Sequence, residues 1–368
     1  MTASISGTTG VTFPDTSVQP IAAGSYTMGF KNRIINGGMV IDQRNEGASV
    51  TPTADQTYTL DRWKIRNAAG TGRFSVVQSS TSAANFPKSA LLTVTTTVVP
   101  STEFYGLEQD VEGYNMADFG WGTANAQAVT LSFQVRSSLT GTYCVSFRNN
   151  GGSRSFVSEF TINTANTFET KTITIQGDTT GTWLTTNGVG ILFLVCLGSG
   201  STREGTAGSW QSSGIVATSN QVNWINTSGA TFYITGVQLE KGSTATSFDV
   251  RPYGTELALC QRYYEKSYVS GTVPATATEV GVAYSIVGNS AGNPASNVYF
   301  KVSKRTTPTE LSIYSSVTGT IAKVRNSTAG TDENSTAYGT SENGFAALGS
   351  TSTSTTCFRF QWTAGSEL

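Results

Sequence analysis

The segment LEQDVEG places Glu108, Asp110 and Glu112 at every second position. In an extended strand alternate side chains share a face, so the three carboxylates would project together. Like charges this close repel unless water or a cation comes between them. Calcium favours such clustered oxygen ligands, which makes these three residues a candidate cation site. A pair of carboxylates can also cleave a glycosidic bond without help from other residue types. The plainer alternative is an exposed polar face on a sandwich strand.

Other chemistry is thinly supplied. The sequence has no histidine. That removes Ser-His-Asp and Cys-His nucleophile arrangements and every imidazole metal ligand. No GxSxG, GxxxxGK[ST] or GxGxxG motif is present. The four cysteines, Cys144, Cys196, Cys260 and Cys357, are scattered without a CxxC pair. Each sits in an apolar context and reads as a small buried hydrophobe.

Aromatic side chains offer a different function. A sugar ring presents flat C–H faces to an indole or phenol ring, and its hydroxyls seek amides, carboxylates and other hydroxyls. Binding sites mix aromatic lining with a few placed polar groups in this way. Trp121 in DFGWGT, Trp183 in TGTWLT, Trp210 in AGSWQSS and Tyr114 in EGYNMAD all neighbour turn residues. Loops carry function more often than strands do. A loop tryptophan can equally cap the end of a sandwich or pack in a subunit interface. Trp63 and Trp224 read as core. Lys301, Lys304 and Arg305, in KVSKRTTPTE, form the densest basic group. They would either meet an acidic polysaccharide or be solvated at a strand end.

These residues must be positioned by strands. Val129, Leu131, Phe133 and Val135 alternate along AVTLSFQVRSS, and similar alternation marks TYCVSFRN, SFVSEFTIN, ETKTITIQG, ATFYITGVQLEKG, SNVYFKVSK and CFRFQW. Gly, Asn and Ser clusters separate them. Many short strands with such turns predict an all-β antiparallel sandwich or barrel. One helix is expected over residues 255–267, with Thr255 as its N-cap. It divides a large sandwich, residues 30–254, from a smaller β unit, residues 268–368.

Composition limits the partners. Net charge is -1, and 13% of residues are charged, against roughly 25% in an average soluble domain. Neither half is basic, so nucleic acid and anionic membranes are poor partners. The longest apolar run, ILFLVCL, is far shorter than the roughly 20 residues needed to span a bilayer. The first residues lack the basic and apolar regions of a signal peptide.

Several phrases occur together in order: KNRIINGGMVIDQRNEG, TLDRW, GLEQDVEGYNMADFGWGTANAQAVTLSFQVRSSLTGTY, ITGVQLEKGSTATSFDVRPYGTELALCQRYYEKS, SKRTTPTELSIYS and FRFQWTAGSEL. This set resembles bacteriophage and prophage tail-fibre, or receptor-binding, proteins over nearly the whole chain. The resemblance implies a jelly-roll sandwich like carbohydrate-binding modules, then a C-terminal β domain, on a homotrimeric virion appendage. It implies adhesion to host-surface glycans without catalysis. Related modules also decorate heads and baseplates, so a head fibre or decoration protein is the alternative. A polysaccharide depolymerase fits less well, because no β-helix repeat is visible.

The opening SISGTTGVTFPDTSVQ resembles the leader of such phage proteins, except that Thr16 stands where related leaders often carry Gly. Residues 1–29 are therefore expected to form a virion-attachment and trimerisation segment. Ile5, Val11 and Phe13 would be buried only if other chains supplied the rest of a core. Pro14 and Asp15 have the chemistry of a turn start.

Overall fold

A computed structural model describes residues 4–6, 10–12, 18–19, 30–67, 73–292 and 295–368. Near the start of the chain, β1 (Ser4–Ser6), β2 (Gly10–Thr12) and β3 (Val18–Gln19) pair as a small antiparallel sheet. Phe13, Pro14 and Asp15, and the side chains of Ile5 and Val11, lie outside the described residues. So does their expected part in attachment.

The alternating segments form a jelly-roll sandwich. Its strands are β4 (Lys64–Asn67), β5 (Phe74–Ser79), β6 (Ser89–Val94), β7 (Phe104–Glu112), β8 (Val129–Ser137) and β9 (Gly141–Arg148). They continue with β10 (Ser155–Ile162), β11 (Glu169–Ile175), β12 (Val189–Ser199), β13 (Trp210–Gln211) and β14 (Thr231–Lys241). One sheet has six strands in the order β13-β10-β9-β12-β7-β4, and the other has five in the order β11-β8-β14-β6-β5. Val129, Leu131, Phe133 and Val135 of β8 are at most 1% exposed. They meet Tyr105, Leu107, Val145, Phe147 and Phe193 from the facing sheet in one core, where Trp63 and Trp224 are also fully buried. Burying one such side chain stabilises the fold by about 1.5–3 kcal/mol.

A bulge keeps β14 in step with this core. Phe232 and Ile234 face inward, but so do Val237 and Leu239, a change of parity that strict alternation forbids. Gly236 supplies the extra residue at φ +60°, where a Cβ would also strike the Phe86 ring at 2.5 Å. Only glycine satisfies both demands.

The C-terminal unit comprises α1 (Tyr253–Gln261), β15 (Tyr264–Lys266), β16 (Ala283–Gly292), β17 (Ala295–Tyr299), β18 (Glu310–Ser315), β19 (Lys323–Asn326), β20 (Thr331–Ser341) and β21 (Gly344–Gly365). The long β21 pairs with each of the other strands of this sheet. The helix starts earlier than expected. Pro252, not Thr255, precedes it, and no side chain caps it. It also ends earlier, because Tyr264, Glu265 and Lys266 pair with Gly365, Ala364 and Thr363. Tertiary pairing overrides the local helical signal there.

The two outer faces of the sandwich differ. The six-stranded sheet is covered. Ile215, Val216 and Ala217 of the connection before β14 pack on Phe104, Cys144, Leu194 and Cys196. Part of the remainder lies against the C-terminal unit. The outer face of the five-stranded sheet is open around Arg136, Tyr233, Leu91 and Val77, as an antiparallel sheet permits, while Thr130, Thr235, Gln238 and Glu240 on the same face are buried.

Candidate functional site

Glu108, Asp110 and Glu112 do share one face of β7, but they form neither an exposed polar face nor a cation site. They are 0%, 1% and 1% exposed, so they are not a solvated face. Side-chain cations also stand where a metal ion would. Glu108 pairs with Arg66 at 3.1 Å, with Lys64 at 3.6 Å and with Arg148. Asp110 pairs with Lys64 at 2.5 Å. Glu112 takes two bonds from Arg262, at 2.6 and 2.9 Å, and a third from the Tyr263 hydroxyl at 2.5 Å. Among the described residues no acidic cluster has the makings of a metal site. The carboxylates belong to an ionic layer between the sandwich and the C-terminal unit.

That layer extends to both sides. Arg62 pairs with Glu367 and lies 3.6 Å over the Tyr263 ring. Arg44 reaches Glu367 at 3.3 Å and covers Tyr264 at 3.7 Å. Burial pushes the Asp110 carboxyl up to about 6, against the pull of Lys64. Asp61 is likewise pushed up to about 6 by burial, with Arg44 and Gln43 opposing. Here too lie two members of the basic group. Lys304, 2% exposed, bonds Glu265 at 2.5 Å. Arg305 donates to the carbonyls of Asn187, Ser366 and Glu367. The expected basic surface patch is thus reduced to Lys301.

The three loop tryptophans come together at one place. Trp121 lies 4.8 Å from Trp183 and 5.2 Å from Trp210, and Trp183 lies 5.4 Å from Trp210, each pair edge to face. Phe119 and Phe156 complete the cluster. Each indole N–H is used internally, on Gln127 O, Thr180 O and Gln176 O respectively. Trp121 and Trp183 are 4% and 7% exposed, and Trp210 is half-buried. Rings that pack on each other in this way close the end of the core and leave little face for a sugar. Tyr114 stands apart from them and is exposed.

A better platform crosses the open sheet. Register sets Arg136 of β8 opposite Tyr233 of β14, Tyr233 opposite Leu91 of β6, and Leu91 opposite Val77 of β5. Phe168, the residue before β11, adds its ring 6.0 Å from that of Tyr233. All five side chains are half-buried. Polar rows flank this stripe. On one side Gln134 donates to the Thr170 hydroxyl at 2.8 Å. On the other, Thr231, Thr93 and Ser75 lie in register.

Arg136 is the charged element of the stripe. Its guanidinium lies 4.9 Å over the Tyr233 ring. Its Nε is buried without a hydrogen-bond partner, and among the described residues no carboxylate pairs with it. Ring faces, aliphatic edge, hydroxyls and a fixed fork of donors are what a glycan requires of a surface. Sequence alternation alone points Gln134, Arg136 and Tyr233 outward. It does not reveal the register that makes them neighbours.

No protein-family model and no curated protein matches the chain. Its neighbours among solved structures are carbohydrate-binding jelly rolls and a phage tailspike domain, all distant. A protein assigned as sugar-binding from Bacteroides thetaiotaomicron is 14% identical, over 57% of this chain and 100% of that one, with a TM-score of 0.34. The enzymatically active domain of tailspike protein 4 of bacteriophage CBA120 is 13% identical, over 58% of this chain and 22% of that one, at 0.30. TmCBM61, solved with β-1,4-galactotriose, is 12% identical, over 57% and 99%, at 0.28.

Proposed function

We propose that the chain is a glycan-binding protein of a phage virion, a tail fibre that adheres to host-surface polysaccharide without cutting it. The observation that carries glycan binding is the stripe of Phe168, Arg136, Tyr233, Leu91 and Val77 between polar rows on the open sheet. The rings take the C–H faces of sugars, and Arg136 and the flanking hydroxyls and amide take their oxygens. Binding without turnover agrees with the carboxylates of β7 being held by lysine and arginine.

The tail-fibre part rests on the ordered phrases of the sequence. In this reading the chain is a homotrimer and residues 1–29 hold it to the particle. Deleting residues 1–24 leaves the sandwich folded and able to bind, and keeps it off virions. Truncated protein on particles at full copy number would refute the attachment role.

The test of glycan binding uses purified host-surface polysaccharide. The wild type should retain it, and Arg136→Ala/Tyr233→Ala should lose most retention with an unchanged melting temperature. The polymer's length distribution should stay constant throughout. Steady release of oligosaccharides would refute the non-catalytic reading, and full retention by the double variant would refute the site.

A further inference from the structure

A cleft of about 710 Å³ opens where the sandwich meets the C-terminal unit. That volume lies within the roughly 300–1,000 Å³ of small-ligand sites. One wall is the loop of Asp42, Gln43 and Glu46, α1 contributes Tyr253 and Gln261, and the strand end at Tyr299 and Lys301 closes the other side. None of its lining residues belongs to the stripe on the open sheet.

Three features point to a ligand. Tyr253 and Tyr299 are 56% and 79% exposed, large rings left in water at the rim of a concavity. Gln261 lines the cleft, and its side-chain amide makes no hydrogen bond within the protein. The amide faces the cleft, where its donor and acceptor are open to a ligand's polar groups. Lastly, the charges balance. Glu46 pairs with Lys266, Asp42 accepts the backbone N–H groups of Asn45 and Gly47 at 3.0 and 2.8 Å, and Lys301 has no carboxylate partner.

An anionic ligand would need an excess of cations here, and an apolar one would take water from the Gln261 amide, the Asp42 carboxylate and the Lys301 ammonium without replacing it. A chain of uncharged sugars meets all three conditions. Its C–H faces lie on Tyr253 and Tyr299, and its hydroxyls bond the Gln261 amide, the Asp42 carboxylate and the Lys301 ammonium. We infer that this cleft is a second carbohydrate site, separate from the open sheet, that takes a short neutral oligosaccharide and contacts both β units at once.

The test is calorimetric titration of the full chain with neutral trisaccharides of glucose, galactose, mannose and N-acetylglucosamine. It is done in a Tyr233→Ala background, so that the open-sheet stripe contributes nothing. At least one trisaccharide should bind, and adding Tyr299→Ala or Gln261→Ala should weaken it by tenfold or more. If Gln261→Ala does not fold, the exposed positions carry the test, with Tyr299→Ala and Lys301→Ala each weakening binding. Silence from every trisaccharide, or an affinity indifferent to Tyr299→Ala, overturns the inference. Neither result bears on the open sheet, whose own test compares Tyr233→Ala with the wild type.

Discussion

Lys64 Nζ lies 2.5 Å from Asp110 Oδ2, and the two side chains are 2% and 1% exposed. Both charges have left water, so each depends on the other for solvation. Lys64→Met strands Asp110 and should cost about 3–5 kcal/mol, the usual result of breaking a buried pair. Lys64→Met/Asp110→Leu should recover most of that loss, because an apolar pair needs no compensation. Urea denaturation of the two variants decides it. Equal destabilisation by the single and double changes would mean that the pair is not the interacting unit.

The same layer sets a pH dependence. Asp61 and Asp110 are both raised to about 6 by burial, from an ordinary 3.8. The folded protein therefore holds these protons more tightly than the unfolded chain does. Their contribution to stability is complete below about pH 4 and is lost as pH rises through about 6. The melting temperature should rise as pH falls from about 7 to about 5, and Asp61→Asn should flatten that slope. An unchanged slope in Asp61→Asn would show that Asp61 does not titrate in this window.

The tryptophan cluster should behave as core. Trp121→Ala removes a ring that touches Trp183, Trp210 and Phe119, and should cost about 3–5 kcal/mol. Trp210→Ala, at a half-buried position, should cost less. Glycan retention by the folded fraction should not change in either. Selective loss of retention at unchanged stability would return these residues to the binding site.

Much of the architecture is legible in sequence because burial writes a period of two. The alternation of β8 predicts its inward face residue by residue. What stays hidden depends on partners far away in the chain. The carboxylates of β7 look like a metal or solvent face because Lys64, Arg148 and Arg262 come from other elements. The tryptophans look like loop platforms because nothing local shows that three separate loops meet. The end of α1 is misread because β15 pairs with β21, about a hundred residues later. Arg136 and Tyr233 each look ordinary until register sets them side by side.

The most direct measurement of the central claim is amide hydrogen exchange with and without a saturating fragment of the host polysaccharide. The account predicts added protection centred on Leu91, Arg136 and Tyr233, on adjacent strands of the open sheet, and none at Trp121, Trp183 or Trp210. Protection confined to the tryptophan loops, or none on the open sheet, would contradict it.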